Sequence, residues 1–153
     1  MRRQRTTMVS LVAACILVAG CAHMSDVLKA KSAGEGTTAV YPVNKDQAWE
    51  IAMTVFRWEG VETIEPHRDQ GYMLASSEMN FWSYGALMGA WVDPVDHHHT
   101  KVTVITKRRL ATSIGTGLTE TTFQKRFAQA VEIVNAGKPL PPSPPEESEK
   151  SAQ

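Results

Sequence analysis

The chain has 153 residues, 16 basic and 16 acidic side chains, two cysteines and 42% apolar residues. This charge balance excludes the clearly basic surface that nucleic acid selects. The length predicts one domain, with an ordered part of about 100 residues, at the lower end of comfortable size.

The N-terminus reads as a leader. Arg2, Arg3 and Arg5 form a positive start, and an apolar stretch from Met8 to Ala19 is interrupted only by Ser10. About 12–13 apolar residues fall short of the roughly 20 that span a bilayer. An uncut signal-anchor helix and a buried core helix are the other readings of such a run. The stretch ends in Leu17-Val18-Ala19-Gly20-Cys21, which resembles the lipobox of bacterial lipoproteins. The resemblance implies that residues 1–20 are removed. Cys21 then becomes the first residue, carrying diacylglycerol on its sulfur and an acyl group on its nitrogen. Ala22 in place of an aspartate implies the outer membrane, with the domain on its periplasmic face. Each buried acyl methylene contributes about 0.8 kcal/mol, so two or more chains hold the protein at the bilayer without further contacts. Cys15 leaves with the leader and Cys21 is acylated, so no thiol pair remains for a disulfide. Three basic residues also leave, and the net charge falls to near −3.

Residues 21–37 read as a flexible lipidated tether, on the evidence of Ser32, Gly34, Gly36 and scattered charges. Such a coil would span roughly 20–25 Å. A domain is expected over 38–137. Thr38 to Val43 reads as a short strand, which Pro42 confines to an edge or a strand end. Asn44 and Gln47 have the spacing of a capping box. Ala48, Ile51, Ala52, Val55 and Phe56 then repeat along one helical face, and Gly60 ends it. Val61–His67 and Gln70–Glu78 read as strands joined by a tight turn at Arg68-Asp69-Gln70-Gly71. A further strand runs from Lys101 to Leu110. Thr119 caps a second helix with Phe123, Phe127, Ala130, Val131 and Val134 at helical spacing, ended by Gly137 and Pro139. Residues 138–153 hold five prolines and then acidic side chains, the composition of an extended disordered tail.

The order β-α-β-β-β-α predicts an α+β fold. A small antiparallel sheet of about four strands packs both helices on one face. With Tyr41-Pro42-Val43, Asp69-Gln70-Gly71 and Leu118-Thr119-Glu120 as markers, residues 38–136 resemble the small βαβββα domains of proteobacterial envelope lipoproteins. Many members of such families have no assigned activity.

Three stretches carry possible chemistry. Met79–Val92 is longer than a hairpin needs and holds Phe81, Trp82, Tyr84, Leu87, Met88 and Trp91. Exposed apolar surface costs roughly 25 cal/mol per Å2, so something must cover it. It extends the flanking strands, folds back on the core, meets the membrane interface, or docks another envelope protein. Asp93-Pro94-Val95-Asp96-His97-His98-His99 offers imidazole and carboxylate suited to zinc, nickel or copper. His97 and His99 share one side of an extended segment and form the candidate pair; a polar turn is the alternative. Lys107, Arg108 and Arg109, near Lys101, either meet anionic lipid or are a solvated strand end. No catalytic motif is present and no cofactor is implied. The expected function is a non-catalytic structural or interaction module of the envelope. It would be anchored to the membrane through lipid and dock a protein partner through residues 79–92. An envelope metal-binding protein using His97 and His99 is the alternative.

Overall fold

The computed structural model describes residues 23–77, 85–108 and 119–145. The lipobox and Cys21, the aromatic residues Phe81, Trp82 and Tyr84, Arg109 and the end of the tail lie outside them. The elements are α1 (Met24–Ser32), β1 (Thr37–Tyr41), α2 (Lys45–Trp58), β2 (Thr63–His67), β3 (Tyr72–Ser76), β4 (Ala86–Pro94), β5 (Thr100–Arg108) and α3 (Glu120–Asn135). The class is α+β, as the sequence predicts.

The two long helices form where periodicity and caps place them. Asn44 accepts a hydrogen bond from the Gln47 backbone at 2.9 Å, and the Gln47 side chain accepts from the Asn44 backbone at 3.1 Å. This reciprocal pair satisfies amide groups that the first turn of α2 leaves free. Thr119 caps α3 by accepting from the Thr122 backbone at 3.1 Å. Ala48, Ile51, Ala52, Val55 and Phe56 are fully buried, as are Phe123, Phe127 and Ala130. Each large apolar side chain buried this way contributes about 1.5–3 kcal/mol. The turn between β2 and β3 is a single 3-10 turn over Arg68–Gln70, closed by Gly71 at φ 74°, a conformation that favours glycine.

Among the described residues the sheet has five strands in the order β1-β5-β4-β3-β2, antiparallel throughout. The fifth strand is β4: residues 86–92 extend the sheet, one of the readings of 79–92, and correct the docking role expected for that part of the stretch. Its residues Ala86 to Val92 are all buried. They alternate between two layers. Ala86, Met88, Ala90 and Val92 join the core under α2 and α3. Leu87 and Trp91 join a second cluster on the opposite face, with Val27, Ala30, Leu74 and Ile105. A strand covered on both faces loses the polar–apolar alternation that marks an ordinary surface strand.

The second cover is α1, and it corrects the tether expected over 21–37. Residues 24–32 are a helix whose Val27 and Ala30 are buried on the sheet. Helices therefore lie on both faces of the sheet, not on one. Gly89 makes room for the contact. A Cβ there would stand 2.6 Å from two ring carbons of Trp91 and 2.8 Å from Cγ1 of Val27.

The start of the expected disordered tail is also engaged. The Trp58 indole donates to the Pro141 carbonyl at 3.0 Å, and Arg126 donates to the Pro145 carbonyl at 3.0 Å. Leu140 packs against the main core.

Candidate functional site

Leu87, Met88 and Trp91 cannot belong to an exposed docking patch, because each is buried in the sheet. Of the six residues expected there, Phe81, Trp82 and Tyr84 lie outside the described residues. The connection that carries them leaves β3 after Ser77 and returns at Gly85, where the Ser77 hydroxyl accepts from the Ala86 backbone at 2.9 Å.

The His-rich stretch is the exposed turn between β4 and β5. Asp96 organises it by accepting from the backbone amides of His98 at 2.7 Å and His99 at 2.8 Å. The His99 ring nitrogen Nδ1 lies 2.9 Å from the same carboxylate. These contacts, led by the His98 amide, hold the Asp96 carboxyl below its ordinary range. Among the described residues no group of three or more His, Cys, Asp or Glu side chains is placed to hold a metal ion. The structure therefore gives His97 and His99 no further ligand within that set.

The basic stretch is divided among partners. Lys107 pairs with Glu35 at 2.6 Å and Lys101 with Asp93 at 3.7 Å. A shallow cavity of about 210 Å3 is lined by Thr106, Arg108, Thr119 and Glu120. Its carboxylate is engaged: Glu120 accepts from the Thr106 backbone at 2.9 Å and the Thr37 hydroxyl at 2.6 Å.

The α1 side of the sheet is the surface that sequence reasoning missed. One row of directly opposed residues crosses it: His67, Tyr72, Trp91, Thr103 and Thr38. His67 stacks on Tyr72 with ring centroids 4.5 Å apart, and Tyr72 on Trp91 at 5.8 Å. The Lys31 ammonium sits 5.3 Å from the Trp91 ring, a cation–π distance. Thr103 and Thr38 complete the row with hydroxyls 3.0 Å apart. His67 Nε2 lies 2.9 Å from a Glu65 carboxylate oxygen without the alignment of a hydrogen bond. At the start of α1, the His23 amide donates to Asp26 at 2.8 Å and holds that carboxyl below its usual range.

Three large apolar side chains are exposed among the described residues: Leu28 at 36%, Val40 at 55% and Val95 at 58%. Leu28 lies on α1. Val40 lies on the same side of the sheet, because it is opposite Lys101 while Ala39 and Tyr41 face the α2–α3 core. The alternation of Val40 with Tyr41 was visible in sequence, but which neighbour faced which layer was not. No helix among the described residues is long and apolar enough to cross a membrane. No protein-family model, curated protein or solved structure matches the chain.

Proposed function

We propose that the chain is a bacterial lipoprotein. Its α+β domain is held at the periplasmic face of the outer membrane and acts as a non-catalytic structural or protein-interaction module. The observation that carries this reading is Leu17-Val18-Ala19-Gly20-Cys21, placed at the end of a short apolar run after Arg2, Arg3 and Arg5. The buried positions of Leu87, Met88 and Trp91 narrow the protein-docking role to Phe81, Trp82 and Tyr84, between the ends of β3 and β4.

Metabolic labelling with a palmitate analogue tests the anchor. The wild-type chain takes up label, whereas Cys21→Ser does not. Equal labelling of the two chains would overturn the reading. The docking role is tested by a photoreactive residue at position 82 in the intact envelope, which should crosslink to one protein partner. A crosslinking pattern no different from that of the same probe at the exposed Arg57 would count against it.

A further inference from the structure

We infer that the α1 side of the domain is its membrane-facing surface, with a phospholipid bilayer as the occupant. The inference rests on the lipoprotein reading and deepens it by giving the domain an orientation. Only Ala22 and His23 separate Cys21 from the first residue of α1. Three residue steps span at most about 11 Å even when fully extended. An acylated Cys21 has its glyceryl group at the headgroup level, so the first turn of α1 must stand beside it.

The helix is fixed to the sheet, so that proximity is passed to the whole domain. Val27 and Ala30 are buried, and Val27 closes over the space left by Gly89. After the helix, Glu35 pairs with Lys107. Gly36 lies so close to β5 that a Cβ there would stand 2.5 Å from Ile105 and 2.6 Å from the Val104 carbonyl. A coil of the kind the sequence suggested would let the domain tumble; a docked helix does not.

The chemistry of this side fits a bilayer held by acyl chains. Two of the three exposed large apolar side chains, Leu28 and Val40, are on it. Most of its positive charge stands beside a carboxylate. Lys29 lies 3.5 Å from Asp26, Lys101 pairs with Asp93, Lys107 with Glu35, and Lys31 rests against Trp91. Attraction to anionic headgroups is therefore not the driving force, and the orientation should survive high salt. The opposite surface, on the far side of α3, carries the exposed Thr121, Ala128 and Glu132. It stands beyond the sheet and a helix layer, about 20 Å further out.

The test uses the full-length chain, lipidated in its host and reconstituted into phosphatidylethanolamine–phosphatidylglycerol vesicles. Single cysteines at Ser25→Cys, Lys29→Cys or Ala128→Cys, all at exposed positions, carry a fluorophore. Lipids with a headgroup nitroxide quench it. At least a twofold loss of fluorescence is expected at positions 25 and 29, with little loss at 128 and no change in 0.5 M salt. A fourteen-residue Gly-Ser insertion after Ala22 should bring position 25 down to the level of 128. Equal quenching at 25, 29 and 128 in acylated protein would overturn the orientation and leave the anchor standing. Intact mass on the same sample separates the cases: a preparation without acyl chains would remove both.

Discussion

Replacing Gly89 with alanine probes the contact that holds α1 on the sheet. The new methyl would meet Cζ3 and Cη2 of Trp91 at 2.6 Å and Cγ1 of Val27 at 2.8 Å. Both are closer than carbon atoms approach, so the indole, the helix or both must shift. Trp91 has little freedom to do so, because Tyr72 stacks on it and Lys31 lies against it. Overpacking of this kind costs about 1–3 kcal/mol. For a domain of this size each kcal/mol lowers Tm by roughly 3–6 °C. The measurement is urea unfolding of residues 21–153 carrying Cys21→Ser, followed by far-UV circular dichroism. Val27→Ala alone should cost about 2 kcal/mol, from lost burial and a small cavity. The double variant should be less destabilised than the sum by about 1 kcal/mol, since the shorter side chain removes one of the two collisions. A Gly89→Ala protein as stable as the parent, or strictly additive costs, would refute the packing of α1 over β4.

Asn44→Ala removes the cap of α2 and should cost about 1 kcal/mol in the same unfolding assay. Thr100→Val leaves the buried Val43 carbonyl without the hydroxyl that reaches it at 2.8 Å, a loss of about 1–3 kcal/mol. Burial pushes the Tyr41 phenol up to about 12. The folded state thus holds that proton more tightly than the unfolded chain, and stability should fall as pH rises from 10 towards 12. Tyr41→Phe should flatten that part of the profile; an unchanged slope would contradict it. Burial also raises the Glu59 carboxyl, against the opposing pull of Arg126 at 3.6 Å. The stability tied to its bound proton is lost as pH rises above the ordinary carboxylate value. Glu59→Gln should match the parent at acid pH and exceed it at pH 7, and a less stable variant at pH 7 would contradict the burial argument.

The long helices were legible because their signals are local. Asn44 with Gln47 and the spacing of Ala48 to Phe56 need no knowledge of the partner surface, and the same holds for Thr119 and Phe123 to Val131. β4 was illegible for a connected reason. Ala86-Leu87-Met88-Gly89-Ala90-Trp91-Val92 has no alternation because both of its faces are covered. Its second cover is a nine-residue helix with only Val27 and Ala30 buried, too short to be stable or recognisable by itself. With the cover unseen, the apolar run suits a docking patch as readily as a strand, and Leu87, Met88 and Trp91 fall within it. Composition leaves the His-rich stretch open between a metal pair and a polar turn, and the turn's geometry follows from Asp96, whose carboxylate gathers the His98 and His99 amides. The prolines of the tail give no sign of its contacts, because Trp58 and Arg126, far away in sequence, supply the donors that meet its carbonyls.

Intact-mass and peptide mass spectrometry of the protein purified from bacterial membranes tests the central claim most directly. The account expects a chain that begins at Cys21 and carries a diacylglyceryl group with a further acyl chain on its nitrogen. A chain that retains residues 1–20, or one whose Cys21 is unmodified, would contradict it.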